Sequence, residues 1–292
     1  MPERQSVLIT GASTGIGQAC ALQMDRLGWR VFAGVRREAD AAALKAAASP
    51  NLEPLILDVT QAEQVTAAAE QVTALVGESG LHGLVNNAGI SIAGPLEFIP
   101  MDLLRHQFEV NVLGQVGVIQ AFLPFLRRAG GRMINISSTG GLVAVPGMGP
   151  YAASKFALEA LSDSLRIELS PWGIKVILVE PGSIATPIWE RSMSIADTWL
   201  AKAPPRMFEL YGPYIPILRA WAVKGSQRGL PVERVSEIVA HALTTPHPKA
   251  RYLIVRGSHL SVHLLRLAPA GLRDRLIARR MGIEVNDVIS RT

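Results

Sequence analysis

What the chain lacks narrows its class before any motif is considered. Cys20 is the single cysteine among 292 residues, so no disulfide can form within the chain, which fits a reducing compartment. Aromatic residues are only 5% and charged residues 18% of the chain, whereas apolar residues are 49%. We find no apolar run near the 18 residues of a membrane span and no room for a signal peptide before the first strand-like run. We therefore expect a cytoplasmic globular protein without a transmembrane segment.

The positive charge is uneven along the chain. The net charge is +5, and residues 249–292 carry nine Lys and Arg against three Asp and Glu. Such a tail can bind phosphate, nucleic acid or anionic lipid, but a solvated helix face is the simpler interpretation, and we predict no nucleic-acid partner. The six histidines form no ligand-spaced cluster with Cys20 or with acids, so we predict no metal site.

Short apolar runs alternate with helical patterns through most of the chain. This alternation predicts an α/β fold: one Rossmann-like, doubly wound parallel sheet of about seven strands with helices on both faces. Ligands on such sheets bind beyond the carboxyl ends of the strands. The predicted strands are residues 6–10, 29–35, 52–58, 81–85, 132–138, 173–179 and 251–255, and the clearest helices begin after the glycine-rich turn and at about 61, 102, 151 and 231.

A glycine-rich turn follows the first predicted strand. Gly11, Gly15 and Gly17 are spaced Gly-x-x-x-Gly-x-Gly and lead directly into a helical pattern. Glycines at such a place allow a tight turn and let pyrophosphate approach the helix N-terminus. The turn therefore predicts a dinucleotide cradle, although any tight turn between a strand and a helix favours glycine.

The end of the second strand predicts which cofactor is used. An acidic residue there would bind the ribose 2′-hydroxyl of NAD, whereas an Arg would favour the 2′-phosphate of NADP. The chain has Arg36 and Arg37 and no acid at this point. We predict NADP, with NAD as the alternative, and the two arginines could also be ordinary surface charges.

A hydroxyl, a phenol and an amine lie close together in the sequence at Ser138, Tyr151 and Lys155. Tyr151 and Lys155 are four residues apart and would share one helix face. A neighbouring ammonium lowers the pKa of a phenol, which would make Tyr151 a proton donor or acceptor near neutral pH. Taken alone, such a pair could arise by chance.

Polar residues also end other predicted strands. Asn86 and Asn87 follow the fourth strand, where their amides could bind cofactor or lock the turn. Ser137 and Ser138 end the fifth strand and, because side chains alternate along a strand, they point to opposite faces.

These motifs, in this order over residues 6–186, resemble the short-chain dehydrogenase/reductase family in its compact single-domain form. The resemblance implies that Tyr151 is the general acid and base and that Lys155 lowers its pKa and binds the nicotinamide ribose. It implies that Asn111 holds a water that relays protons. It also favours Ser138, 13 residues before Tyr151, over Ser137 as the group that binds the substrate oxygen.

The resemblance also implies a cofactor site. Asp58 would contact adenine, Asn87 the adjoining ribose, and Ile184 with Thr186 the carboxamide. One departure is Thr14, where many NADP-using members have a basic residue, so the preference for NADP rests chiefly on Arg36. The full predicted set is Gly11, Ser13, Thr14, Gly15, Ile16, Gly17, Arg36, Arg37, Asp58, Val59, Asn87, Ala88, Gly89, Tyr151, Lys155, Pro181, Gly182, Ile184 and Thr186.

Two later segments are predicted to modify one catalytic domain spanning 1–292. Residues 183–229, here the lid segment, hold three of the five Trp, and in the family this region covers the substrate; its aromatics could equally pack the lid onto the body. Residues 257–292, the C-terminal extension, are basic and amphipathic. The extension could cover the substrate mouth, mediate association, or make peripheral contact with a membrane.

The whole chain is most similar to the branch with 17β-hydroxysteroid and retinol dehydrogenases. This implies hydride transfer between NADP(H) and an apolar steroid-, retinoid- or lipid-like substrate, and a homodimer or homotetramer. The alternatives are a 3-oxoacyl thioester reductase on the same scaffold and a non-catalytic NADP-binding sensor. The sensor would be expected to lose Ser138, Tyr151 or Lys155, and all three are present.

Overall fold

A seven-stranded parallel sheet forms the centre of the protein in a computed structural model that describes residues 4–283. The strand order is β3-β2-β1-β4-β5-β6-β7, and every neighbouring pair is parallel. The predicted Rossmann-like fold is therefore confirmed. The strands are β1 (Ser6–Ile9), β2 (Arg30–Val35), β3 (Leu52–Ile56), β4 (Gly83–Asn86), β5 (Arg132–Ile136), β6 (Lys175–Pro181) and β7 (Arg251–Ile254).

Helices cover both faces of this sheet. The predicted helices correspond to α1, α3, α4 with α5, α6 and α10, whereas α2 is additional. The described helices are α1 (Gly15–Arg26), α2 (Glu38–Ala46), α3 (Ala62–Val76), α4 (Met101–Phe108), α5 (Gly114–Ala129), α6 (Gly149–Glu168), α7 (Ile188–Leu200), α8 (Pro205–Tyr211), α9 (Ile215–Gln227), α10 (Glu233–Thr244), α11 (His259–Leu267) and α12 (Ala270–Met281).

Alternating side chains of each central strand enter two separate cores. Val7 and Ile9 of β1 pack in the core that α1 and α10 cover, whereas Leu8 between them packs in the core under α3 and α5. Both cores are apolar because a strand between two helical layers is buried on both faces. Cys20 of α1 lies fully buried in the first core, and this burial raises its thiol pKa to about 12.

The predicted long helix is continuous from Met101 to Ala129 but contains one π-helical turn. This turn, Glu109–Leu113, separates α4 from α5 and contains the buried Asn111. The continuous helix is also long and apolar enough to cross a membrane, with a mean hydropathy of 1.3 over its best 18-residue window. Half of that window is buried inside the fold, and core helices of globular proteins meet the same measure. The absence of a transmembrane segment therefore stays a prediction.

The lid segment leaves and rejoins the sheet at a single point. The backbone N–H of Ala185 donates to the carbonyl of Leu230 over 2.9 Å, and the N–H of Leu230 donates to Ser183 over 2.9 Å. Between these contacts the segment forms α7, α8 and α9. Both ends of the lid segment are therefore fixed next to the carboxyl end of β6.

The C-terminal extension follows β7 and forms α11 and α12. Its described part exposes leucines at Leu260, Leu264, Leu267, Leu272 and Leu276. The part of the predicted extension beyond residue 283 lies outside the described residues.

Candidate active site

A large cleft lies beyond the carboxyl ends of the central strands. Its volume is about 600 Å³, and most of the sequence-predicted site residues border it. The exceptions are Gly17, Arg37 and Asn111. The bordering members are Gly11, Ser13, Thr14, Gly15, Ile16, Arg36, Asp58, Val59, Asn87, Ala88, Gly89, Ser138, Tyr151, Lys155, Pro181, Gly182, Ile184 and Thr186.

The glycine-rich turn forms one end of the cleft. Gly11 and Gly15 have φ of 64° and 60°, a region that side chains with a Cβ rarely adopt. α1 begins at Gly15 with no side-chain cap and no acidic residue in its first turn. Its N-terminal amides and helix dipole therefore favour an anion in the cleft.

Gly17 lies behind this turn and does not border the cleft. A Cβ on Gly17 would collide with the carbonyl oxygen of Gly11 and with the side-chain amide of Asn87. The missing side chain thus lets α1 pack closely against the turn. Gly17 therefore stabilises the glycine-rich turn and does not line the cleft.

Asn87 locks the turn from the neighbouring strand end. Its Nδ2 donates to the carbonyl oxygens of Thr10 and Gly11 over 2.9 and 3.1 Å. The Thr10 hydroxyl in turn accepts from the backbone N–H groups of Asn87 and Ala88, each over 3.0 Å. The sequence leaves two roles open for this amide, cofactor binding and locking of the turn. Its side chain locks the turn, and Asn87 also borders the cleft.

Arg36 and Arg37 at the end of β2 have different surroundings. Arg36 is exposed and borders the cleft. Arg37 forms two hydrogen bonds of 2.8 Å with the Asp40 carboxylate in the first turn of α2, and this pairing lowers the pKa of Asp40. The prediction that both arginines face the cofactor is therefore corrected, because Arg37 pairs with Asp40 and does not border the cleft.

Asp58 is held at the end of β3 by a short turn. Its Oδ1 accepts from the backbone N–H of Thr60 over 3.0 Å and from the Thr60 hydroxyl over 2.8 Å. The carboxylate and Val59 both border the cleft beside Arg36. This corner is where the sequence places the adenosine part of a dinucleotide.

Ser138, Tyr151 and Lys155 lie together at the other end of the cleft. Ser138 Oγ accepts from the N–H of Gly140 over 3.0 Å and donates to the carbonyl of Pro181 over 3.3 Å, and it is close enough to Tyr151 to affect the pKa of the phenol. The Lys155 Nζ lies 5.8 Å from the Tyr151 ring centroid and donates to the carbonyl of Ile136 over 2.8 Å. β5, the turn after it and α6 thus bring the three groups into contact range.

Burial controls the protonation of this group. It raises the pKa of Tyr151, and the neighbouring Ser138 hydroxyl opposes that rise. The net shift is upward because loss of solvent around the phenolate outweighs the effect of Ser138, and the lowering by Lys155 stays a prediction. Burial also lowers the pKa of Lys155 to about 8, against the opposing charge of Glu159.

Both candidate serines border the cleft, but their hydroxyls differ. Ser137 Oγ is buried and has no hydrogen-bond partner within residues 4–283. Ser138 Oγ hydrogen-bonds to Gly140 and Pro181 and affects the pKa of Tyr151. The opposite orientation of consecutive strand residues explains the difference.

Three buried amides on the long helix hold the loop after β4. Gln107 Nε2 donates to the carbonyl of Ile90 over 2.8 Å, and Gln115 donates to Ala88. Asn111 accepts from the N–H of Ile90 over 2.9 Å, and its Nδ2 donates to the same residue's carbonyl over 3.0 Å and to Ser154 Oγ over 3.0 Å. The Asn111 side chain therefore joins the loop to α6 without bordering the cleft. Sequence reasoning missed Gln107 and Gln115. Their spacing of four residues from Asn111 places all three amides on one face of an apolar helix, which would have predicted a shared polar role.

Arg251 of β7 connects α6, the helix that carries Tyr151, to strand β6. Its guanidinium bonds to Glu159 of α6, to Glu180 of β6 over 2.5 Å and to Asp163 over 2.7 and 2.8 Å. Glu180 is buried, and this burial raises its pKa. Sequence reasoning missed this network, because its members are far apart in the chain.

The lid segment supplies the apolar wall of the cleft. Trp189 and Trp221 border it, and their rings meet edge to face with centroids 5.8 Å apart. Trp199 instead is buried and lines an adjoining apolar cavity of about 70 Å³. Of the lid aromatics, these two tryptophans face the cleft, whereas Tyr211 bonds to Glu97 on the body over 2.9 Å.

The donor set in this cleft fits a nicotinamide dinucleotide. An uncapped helix N-terminus suits a pyrophosphate, and the exposed Arg36 suits a further phosphate at the adenosine end. Within residues 4–283, no group of three or more His, Cys, Asp or Glu side chains is arranged to hold a metal ion.

Comparison with known sequences gives one consistent result. A family model described as short chain dehydrogenase matches residues 5–195. Retinol dehydrogenase 5 of Mus musculus is 39% identical, covering 84% of this chain and 79% of its own. 17-beta-hydroxysteroid dehydrogenase type 6 of Bos taurus is 36% identical, covering 94% and 87%. NADPH-dependent 3-dehydrocapnine reductase of Ornithobacterium rhinotracheale is 35% identical, covering 92% and 94%.

A solved structure adds the fold. A short chain dehydrogenase from Burkholderia cenocepacia, in complex with NADP, has a TM-score of 0.72 and 26% identity. The match covers 94% of this chain and 98% of that one.

Proposed function

Because this chain belongs to the short-chain dehydrogenase family, we propose that it transfers a hydride between NADP(H) and an alcohol or carbonyl carbon of an apolar substrate. The observation that carries this proposal is the convergence of the glycine-rich turn with Ser138, Tyr151 and Lys155 in one cleft. As a family member the chain is a NAD(P)-dependent oxidoreductase of CH–OH and C=O groups. The roles of its residues and the class of its substrate are the further content of the proposal.

Tyr151 is the proton donor for carbonyl reduction. NADP(H), when bound, supplies or accepts the hydride. Because burial raises the Tyr151 pKa, the phenol keeps its proton at neutral pH and can give it to the substrate oxygen. The Ser138 hydroxyl donates to the same oxygen and stabilises its developing charge.

Lys155 and Asn111 serve Tyr151 from the side away from the substrate. Lys155, with a pKa of about 8, can return a proton toward the phenolate after turnover. The side chain of Asn111 is fully engaged with Ile90 and Ser154. The implied proton-relay water would therefore bind the backbone near Asn111, where the π-helical turn interrupts the regular hydrogen-bond pattern.

The lid segment selects an apolar substrate. Trp189 and Trp221 cover the cleft opposite Val143 and Met148, and such a wall suits a bulky ring system or a long chain. The similar proteins are named for retinol, a 17-beta-hydroxysteroid and 3-dehydrocapnine. A steroid-, retinoid- or lipid-like ketone, aldehyde or alcohol is the class that these observations favour.

A substrate panel tests the proposal. Reduction of a steroid ketone, retinal, a 3-oxoacyl thioester and acetone, followed at 340 nm with NADPH and with NADH, compares both substrate and cofactor. We expect the apolar ketone or aldehyde to have the highest kcat/KM, with NADPH preferred. Faster turnover of acetone than of every apolar compound would contradict the proposed substrate class.

We further propose a homodimer or homotetramer formed through the long helix and α6. Leu113, Phe156 and Ile167 on these helices are 55%, 43% and 77% exposed, and burial of such apolar side chains would favour association. Light scattering of the purified protein gives the assembly size, and Ile167→Asp should reduce it. A monomeric wild-type protein would contradict this proposal.

The proposed location is cytoplasmic, with the C-terminal extension as a site of peripheral membrane contact. Exposed leucines on α11 and α12 accompany arginines such as Arg266 and Arg273, a combination that binds anionic lipid surfaces. Flotation with anionic and neutral vesicles tests this contact. Equal recovery with both vesicle types would argue against it.

A further inference from the structure

The first helix of the lid segment stands directly over the glycine-rich turn. Thr186 is so close that its side chain would lie 3.3 Å from a Cβ added to Gly15, and the Pro187 ring would lie 3.8 Å away. The N–H of Arg191 donates to the carbonyl of Pro187 over 3.1 Å. Arg191 is thus one turn further along α7, on the face that begins over the cofactor cradle.

Arg191 borders the same cleft as Arg36. Arg36 belongs to the body at the end of β2, and Arg191 belongs to the lid segment. The charges of both arginines lower the pKa of the Asp40 carboxylate, as the two smallest contributions to that shift. Asp58, which the resemblance assigns to adenine, borders the same cleft.

Neither of these arginines is neutralised by a partner within residues 4–283. Both arginines affect the pKa of Asp40, but the two Asp40 oxygens bond to Arg37 at 2.8 Å each. Arg36 and Arg191 form no salt bridge and no side-chain hydrogen bond in the described part of the chain. Two unpaired cations that border one cleft can together bind a doubly charged anion.

We propose that Arg191 of the lid segment binds the ribose 2′-phosphate of NADP together with Arg36. It supplies the second cation that this chain lacks at Thr14 in the glycine-rich turn. This inference rests on the proposed preference for NADP. The inference adds that Arg36 of the body and Arg191 of the lid segment bind the same 2′-phosphate. Binding of NADP would then couple the choice of cofactor to the position of the lid segment.

Equilibrium binding separates Arg191 from the other contacts. Dissociation constants for NADPH and NADH are measured by cofactor fluorescence for the wild type, Arg191→Ala, Arg191→Lys and Arg206→Ala. Arg206 is a matched control, because it is an exposed arginine of the lid segment that does not border the cleft. Unchanged NADH binding also shows that each variant is folded.

We expect Arg191→Ala to weaken NADPH binding about 10- to 100-fold, the usual cost of losing a charge-assisted hydrogen bond. NADH binding should change less than about twofold, and Arg191→Lys should fall between. Arg206→Ala should bind both cofactors as the wild type does. Hydrogen exchange gives a second readout: 2′,5′-ADP should protect the amides of α7 in the wild type but not in Arg191→Ala, whereas 5′-ADP should protect them in neither.

Three outcomes would overturn the inference, and they are distinguishable. An equal loss of NADPH and NADH affinity would mean that Arg191 binds the pyrophosphate. Unchanged NADPH affinity in Arg191→Ala would mean that Arg191 makes no cofactor contact. A wild type that does not distinguish NADPH from NADH would refute the proposed cofactor preference itself, before any variant is considered.

Discussion

The sheet body and the lid segment differ in how firmly their side chains are held. In the body, Lys155, Asn111 and Asn87 border or support the cleft, and each makes hydrogen bonds to backbone atoms of another element. In the lid segment, α9 buries none of its residues, and α7 and α8 bury only three between them. The difference indicates that the body fixes the reaction geometry, whereas the lid can repack around different substrates.

The largest expected effect is on chemistry in the body. Tyr151→Phe removes the proton donor, and we expect kcat to fall by about 10²- to 10⁴-fold, the usual range for a general acid. NADPH affinity, measured by fluorescence titration, should stay near the wild-type value. Tyr211→Phe is the lid control, because its phenol bonds only to the exposed Glu97 among the contacts described, and it should leave kcat unchanged. Full activity in Tyr151→Phe would refute the mechanism.

The next effect concerns stability, and it contrasts two arginine networks. Arg251→Met leaves the buried Glu159 and Glu180 without their cation, which should lower the free energy of unfolding by about 3 to 5 kcal/mol. Arg219→Met removes the exposed pair with Asp197 in the lid segment and should cost at most about 1 kcal/mol. Urea denaturation at pH 7 measures both. Equal losses would mean that the lid is as firmly held as the body.

A smaller effect follows from the buried Lys155, whose pKa falls from 10.5 to about 8. Below pH 8 both folded and unfolded states bind its proton, whereas between pH 8 and 10 only the unfolded state does. The free energy of unfolding should therefore rise over that window, by about 2 to 3 kcal/mol relative to Lys155→Met. Above pH 10 the buried Tyr151, with its raised pKa, gives the opposite slope. Parallel urea titrations of the two proteins at pH 8 and 10 provide the measurement, and identical pH dependence would contradict a titrating Lys155.

The smallest effect is expected in the lid wall. Trp189→Ala removes half of the aromatic pair and should lower kcat/KM for an apolar substrate about 10-fold, chiefly through KM. Turnover of acetone and the thermal midpoint should change little. Trp172→Ala is the control, since this half-exposed ring lies on the body against Arg127. A large drop in kcat for acetone as well would show that the lid also positions the chemistry.

The sequence predicted the parts of the site that depend on local spacing. The turn around Gly15 and the pair Tyr151 and Lys155 are set by intervals of a few residues, so a single stretch of chain reveals them. The parallel sheet was likewise predictable from alternating strands and helices. The predicted strand bounds differ from the observed ones by at most two residues, because the apolar pattern does not mark where the ladder of hydrogen bonds begins and ends.

Other features depend on contacts that are distant in the chain. The direction of the Tyr151 pKa shift follows from burial, which spacing does not report. Which of Arg36 and Arg37 faces the cleft depends on where α2 begins and brings Asp40 within reach. That Arg191 borders the same cleft as Arg36 depends on how the lid segment folds back over the turn.

The joined ends of the lid segment have a consequence for how such enzymes diversify. Ala185 and Leu230 are hydrogen-bonded neighbours. The residues between them therefore form one large loop whose two ends are held together. Lengthening a closed loop adds little entropic cost, about 0.6 kcal/mol for each doubling. The segment can therefore change in length at little cost in loop closure, and a graft from a relative would be expected to bring a new specificity to the same type of reaction.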